Sequence, residues 1–126
     1  MTSKFQARTP VHRTEDVQKV VESLNHIFSY DNIIIEESEI IISGRIKGLE
    51  DLKESLKKRK VRETARKILE KGIHKNHINF MLSKQAAFAG TPVLLDRELS
   101  PLGEIEVKVE TDDIEGFIDW LAPSQF

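Results

Sequence analysis

Alternation and helical recurrence of hydrophobic positions predict most of the elements in this chain. Phe5, Ala7, Thr9 and Val11 alternate with Lys4, Gln6, Arg8 and Pro10, the period of two of a half-buried strand. Pro10 has no N–H to donate, which suits a strand end or edge. Thr14 offers a capping oxygen, and Glu15 and Asp16 favour the positive start of a helix. Val17, Val20, Val21, Leu24, Ile27 and Phe28 follow at helical spacing as its apolar stripe. Residues 32–36 and 39–47 are rich in Ile and predict a hairpin turning at Glu37-Ser38, with Gly44 as a candidate bulge.

From Gly48 the period changes. Leu49, Leu52 and Leu56 predict a short amphipathic helix, and Val61, Ala65, Ile68 and Leu69 a second one, with Gly72 placed to end it. Ile78, Phe80 and Leu82 mark the next strand, residues 83–90 a helical turn, and residues 93–96 a short extended piece. Ser100-Pro101-Leu102-Gly103 has the Pro and Gly positions of a type I turn. Ile105, Val107 and Val109 alternate with Glu104, Glu106, Lys108 and Glu110 as a half-buried strand. Asp112-Asp113 then caps a last helix that Pro123 halts. Hairpins and helical crossovers in this order predict an α+β fold: one domain over residues 1–126, with a mainly antiparallel sheet of about five strands and helices packed on one face.

Composition narrows the function. The 126 residues contain no Cys, which excludes disulfide frameworks, thiolate zinc sites and cysteine nucleophiles. No apolar run approaches the ~20 residues of a membrane span, and the first residues lack a signal peptide's apolar stretch. A soluble cytoplasmic protein is expected.

Charge changes the picture more. The net charge of −2 argues against a generally basic nucleic-acid binder. By position, however, residues 53–75 hold ten basic and three acidic side chains, a formal +7, and the remainder sums to −9. Lys57, Lys58, Arg59, Lys60, Arg62, Arg66, Lys67 and Lys71 are therefore candidate RNA-binding residues. Arg59, Arg62 and Arg66 would share a face if one helix carried all three, and guanidinium groups match phosphate oxygens. The alternative is a solvated helix pair carrying Glu63–Lys67 and Arg66–Glu70 pairs at i,i+4.

Lys84 and Gln85 interrupt an apolar run and are candidate polar contacts. Either they present donors to a phosphate or carboxylate, or Gln85 bonds a neighbouring strand while Lys84 snorkels to solvent. His74 and His77 lack further ligands, so no metal and no cofactor is expected. The acidic clusters fit a turn and a helix start, and no phosphate loop, Gly-x-Ser-x-Gly or His-Glu-x-x-His motif occurs. Only eight aromatics are present, and Phe5, Phe28 and Phe80 fall in line with core positions, so base stacking on a sheet surface is not indicated.

Glu63-Thr64-Ala65-Arg66, residues 80–90 (Phe-Met-Leu-Ser-Lys-Gln-Ala-Ala-Phe-Ala-Gly), Leu102-Gly103-Glu104-Ile105-Glu106-Val107 and Ile118-Asp119-Trp120-Leu121-Ala122-Pro123 together resemble an uncharacterised archaeal protein family. The resemblance covers essentially the whole chain, with Ser83 standing where Asn is usual. It implies the fold of the ribosomal protein that binds the small RNA of the large subunit, and no established activity. The expectation is a non-catalytic protein that binds RNA weakly through the basic segment. The alternative is a protein-interaction or assembly module that does not bind RNA, a homodimer joined by the basic segment of one copy and the acidic remainder of the other, or at an exposed strand edge.

Overall fold

A computed structural model describes residues 2–124 and places seven strands in one sheet, antiparallel at every pairing, with five α-helices. The strands are β1 (Ser3–Pro10), β2 (Asn32–Ile35), β3 (Glu39–Arg45), β4 (Ile73–His74), β5 (His77–Leu82), β6 (Leu94–Leu95) and β7 (Ile105–Thr111). The helices are α1 (Val17–Ile27), α2 (Glu50–Lys58), α3 (Arg62–Lys71), α4 (Lys84–Phe88) and α5 (Ile114–Leu121), and a 3-10 turn, Ile46–Leu49, leads into α2. The sheet runs β2-β3-β1-β7-β5-β4, with β6 beside β5. The class is the expected α+β. The strands beyond the expected five are the two-residue pieces β4 and β6.

The alternation in β1, β5 and β7 sorts side chains as expected. Phe5, Ala7, Ile78, Phe80, Val107 and Val109 are buried, and they meet Val20, Leu24, Leu52, Leu69 and Phe117 from the helices in one apolar cluster. Phe5 and Phe28 stack within it, their centroids 5.5 Å apart. Burial of side chains this size stabilises by ~1.5–3 kcal/mol each, which is why the helices cover that face. No helix among the described residues is long and apolar enough to cross a membrane.

Two local expectations need correction. The cap of α1 is Asp16, whose Oδ1 accepts from Gln18 N at 2.9 Å, and Thr14 stands outside the helix. Thr14 loses that role because Glu15 turns inward to a buried cation, so the chain enters the helix two residues later. Gly44 makes no bulge: it pairs in register with Phe5. Its lack of a side chain gives the Phe5 ring room, since an added Cβ would lie 3.2 Å from Phe5 Cε1.

The two sides of the sheet end differently. The outer edge of β2 pairs with nothing among the described residues. The far edge of β5 is covered piecewise: β4 pairs at one end, β6 at the other, and Asn79 N donates to Gly72 O at 2.9 Å between them. Gly72, at the end of α3, lies so close to β5 that an added Cβ would collide with the Asn79 carbonyl. We expect Gly72→Ala to lower unfolding free energy by about 1–3 kcal/mol, read as a lower midpoint in chemical denaturation. An unchanged midpoint would show that the α3–β5 junction relaxes freely.

Candidate nucleic-acid interface

The basic segment folds into two helices and the turn between them. α2 begins with Glu50 and Asp51 and ends with Lys57 and Lys58, an order that suits the helix dipole. Leu52 and Leu56 face the core. The chain then breaks at Lys60, whose φ of 57° is left-handed, and α3 restarts at Arg62 with Ala65 and Leu69 buried. Arg59 therefore ends one helix and Arg62 opens another, so the shared face of Arg59, Arg62 and Arg66 does not form.

The arginines are largely occupied by the protein itself. Arg59 Nη1 donates to Pro92 O at 2.7 Å. Arg66 Nη1 donates to Asp119 Oδ1 at 2.8 Å and to Ala122 O at 2.9 Å, tying α3 to the end of α5. Arg66 thus pairs with Asp119 across helices, not with Glu70 along its own. Arg62 is half-buried, and its Nε has no hydrogen-bond partner. Lys57, Lys58, Lys60, Lys67 and Lys71 are exposed, and none takes part in an ion pair among the described residues. Compact, strongly hydrated ammonium groups are left at the surface, while the planar guanidinium groups make the internal bonds.

Lys84 and Gln85 separate completely. Gln85 is exposed. Lys84 is 1% exposed, so it neither snorkels nor offers a donor to a ligand. Its Nζ donates to Pro10 O at 2.6 Å, Glu15 Oε1 at 2.8 Å and Leu102 O at 3.3 Å. The carboxylate it reaches is the chain's own. Ser83 caps α4 by accepting from Ala86 N at 3.1 Å, and so fixes where the lysine enters. Glu104, also buried, accepts from Lys84 N, Leu99 N and Ser100 N at 3.2, 2.9 and 3.0 Å. Burial raises the Glu15 pKa, but the hydrogen bond from Lys84, the His12 backbone N–H and the charges of both residues outweigh it, and the net shift is downward.

The outer face of the sheet carries polar side chains from its central strands, and among the described strand residues that face it there is a His77 imidazole but no Phe, Tyr or Trp. Phe117 and Trp120 sit together on α5, 6.3 Å apart, with Lys53 Nζ 5.4 Å from the Trp120 ring centroid. Tyr30 donates to Asn25 Oδ1 at 2.6 Å. The His74 and His77 rings stack at 5.6 Å on the β4–β5 turn, and no group of three His, Asp or Glu side chains converges for a metal among the described residues.

A cleft of about 590 Å³ lies where the end of α3 and the segment after β6 rise beside the outer face of β5, β7 and β1. Its lining includes Gln6, Arg8, Asn79, Met81 and Lys108, brought together by strand register, and Lys71 from the end of α3. The signal present in the sequence is the run of polar outward positions on the strands, which does not say which strands are neighbours.

Comparison with known proteins agrees with this architecture. A family model described as RNA binding matches residues 4–111. A UPF0201 protein of Methanothermobacter thermautotrophicus is 41% identical over 120 residues, covering 95% of this chain and 91% of the relative. One from Sulfurisphaera tokodaii is 35% identical over 127 residues, covering 96% and 88%. Among solved structures, a UPF0201 protein from Methanococcus jannaschii superposes with a TM-score of 0.79 at 30% identity, covering 98% of this chain and 95% of that one. An uncharacterised UPF0201 protein superposes with a TM-score of 0.85 at 27% identity, covering 96% and 94%.

The Lys84–Glu15 pair gives a direct test. Removing one partner of a buried pair leaves the other unsatisfied, so we expect Lys84→Met to cost about 3–5 kcal/mol in denaturant titration. The Lys84→Met/Glu15→Gln double variant should recover part of that loss. Because the folded-state pKa of Glu15 is lowered, its contribution is complete above the ordinary glutamate value of 4.5 and is lost as pH falls through the lower folded value. Stability should therefore fall below that pH less steeply in Glu15→Gln than in the parent; identical acid limbs would contradict the assignment.

Proposed function

The chain belongs to the UPF0201 family of archaeal proteins, and from that premise we propose that it is a cytoplasmic, single-domain, non-catalytic RNA-binding protein. Its fold kinship with the ribosomal protein that binds the small RNA of the large subunit is part of this proposal. The observation that carries it is the set of exposed, unpaired lysines on one helical segment: Lys57, Lys58, Lys60, Lys67 and Lys71. Arg59 and Arg66 have internal partners, but none of these ammonium groups takes part in an ion pair among the described residues, and phosphate oxygens are the chemistry that many closely spaced cations recognise. With no Phe, Tyr or Trp on the outer sheet face among the described residues, backbone contact is favoured over base stacking.

The test is titration of a structured RNA at several salt concentrations. Five phosphate contacts should give a slope of log K against log salt of roughly −3.5 to −4.5. Lys57→Glu, Lys60→Glu and Lys67→Glu together should reduce affinity and flatten that slope by about 2–3 while leaving the melting temperature unchanged. Affinity indifferent to the triple reversal would sink the reading. Arg66 is the wrong residue for such a test, since its replacement breaks the bonds to Asp119 and Ala122.

A second reading, assembly of two copies, is favoured by β2. Ile33, Ile34 and Ile35 are 38%, 54% and 55% exposed on a strand whose outer edge is unpaired, without Pro or Lys to blunt it. Antiparallel pairing of two such edges would continue the sheet and cover these side chains. It would also bring Asp31, Glu36 and Glu37 of the two copies near one another, which sets salt as the condition favouring assembly. Light scattering across concentration should show a dimer at high salt that Ile34→Lys converts to monomer. A monomer under all conditions would exclude this reading.

A further inference from the structure

The cleft on the outer sheet face has a layout that the lysine patch does not share. The register places Gln6, Lys108 and Asn79 in one row across β1, β7 and β5, and Arg8, Glu106 and Met81 in the next. The first row is an ammonium group between two amides. Lys71, at the end of α3, lines the cleft beside it. Lys71 and Arg8 enter no ion pair among the described residues, and Lys108 has only the exposed Glu110 at 3.7 Å. These are the donors an oxyanion takes.

The rest of the lining is of a different kind. Ile68, Met81 and Leu95 supply apolar surface, and Met81 adds a polarisable thioether. Arg8, Glu106 and Asp96 add donors and acceptors along the same wall. A purely apolar ligand would strip water from these charges without replacing their hydrogen bonds. A bare anion would leave the apolar wall unused. A ligand that joins an anion to a flat, weakly polar ring with donors and acceptors on its rim uses every part, and about 590 Å³ is ample for one such unit.

We propose that this cleft binds one nucleoside monophosphate unit, free or as part of a single RNA strand, with its phosphate at Lys71 and Lys108 and its base against Met81. This deepens the RNA-binding reading and rests on it for the strand as the source of that unit. It differs in mechanism: the lysines of the α2–α3 turn attract phosphates in general, while the cleft takes a single unstacked nucleotide. A duplex cannot present a base to it, so the cleft selects for single-stranded segments.

The experiment is NMR titration of the full chain with uridine 5′-monophosphate and adenosine 5′-monophosphate, with adenosine, inorganic phosphate and a single-stranded hexauridylate as separate arms. The expected result is shifts at the Gln6 and Asn79 side-chain amides and the Met81 methyl, with the monophosphates binding more tightly than adenosine or phosphate alone. Lys108→Gln, a surface change, should weaken the monophosphates about tenfold, the loss of one charge-assisted hydrogen bond. Met81→Asp should abolish the shifts. Tighter binding of hexauridylate than of the monophosphates supports a strand as the source, and equal binding supports the free nucleotide. Shifts that are absent, confined to Lys57, Lys58, Lys60 and Lys67, or equally produced by phosphate alone would overturn the proposal. Repeating the titration on the Lys57→Glu/Lys60→Glu/Lys67→Glu variant separates the two readings, because all three positions lie outside the cleft. Cleft shifts that persist while structured-RNA affinity is lost uphold the cleft; intact structured-RNA affinity with no cleft shifts overturns the cleft alone.

Discussion

Three stretches of this chain converge on one buried ammonium group. Lys84 Nζ holds the carbonyl at the end of β1, the carboxylate just ahead of α1, and a carbonyl in the turn before β7. The backbone N–H of the same residue is bound by Glu104, which also gathers the loop at Leu99 and Ser100. An isolated charge at this depth would be strongly disfavoured by desolvation. It is tolerated because its donors meet acceptors supplied by segments up to 74 residues away. The demand for acceptors dictates where β1 stops, where α1 starts and how the chain enters β7, the central strand that pairs with both β1 and β5.

Elsewhere the same economy divides the cations by chemistry. Arg59 and Arg66 bridge elements through backbone carbonyls and one carboxylate, where a planar fork with several donors is most useful. Lys53 lies over the Trp120 ring and donates to the Trp120 carbonyl. The remaining lysines of the segment stay in water. A segment that carries a formal +7 in the linear sequence thus presents a smaller, mostly lysine surface, and acidic side chains at Asp31, Glu36 and Glu37 flank the β2 strand.

The elements of this fold were legible because their signals are local. Period-two alternation in β1, β5 and β7 and helical stripes in α1 to α3 depend on neighbours a few residues apart, and the hairpin turn at Glu37-Ser38 depends on its immediate flanks. What was not legible depended on distant partners. Thr14 looked like a cap until Glu15 was drawn toward Lys84, and Lys84 itself resembled a solvent-seeking lysine because nothing nearby in sequence announces Pro10 or Leu102. The single-face arginine reading failed at one backbone angle, the left-handed Lys60. The cleft was invisible for the plainest reason: Gln6, Asn79 and Lys108 become neighbours only once β1, β7 and β5 are ordered.

The unequal ends of the sheet carry a consequence for growth. Among the described residues the β5 side presents only two-residue pieces and a helix end, too short and too interrupted to template another strand, and the β2 side is continuous. A particle with one adhesive end cannot polymerise. Two such ends that met would exhaust each other, so association through them would stop at a closed pair instead of growing as a sheet with two bare edges would.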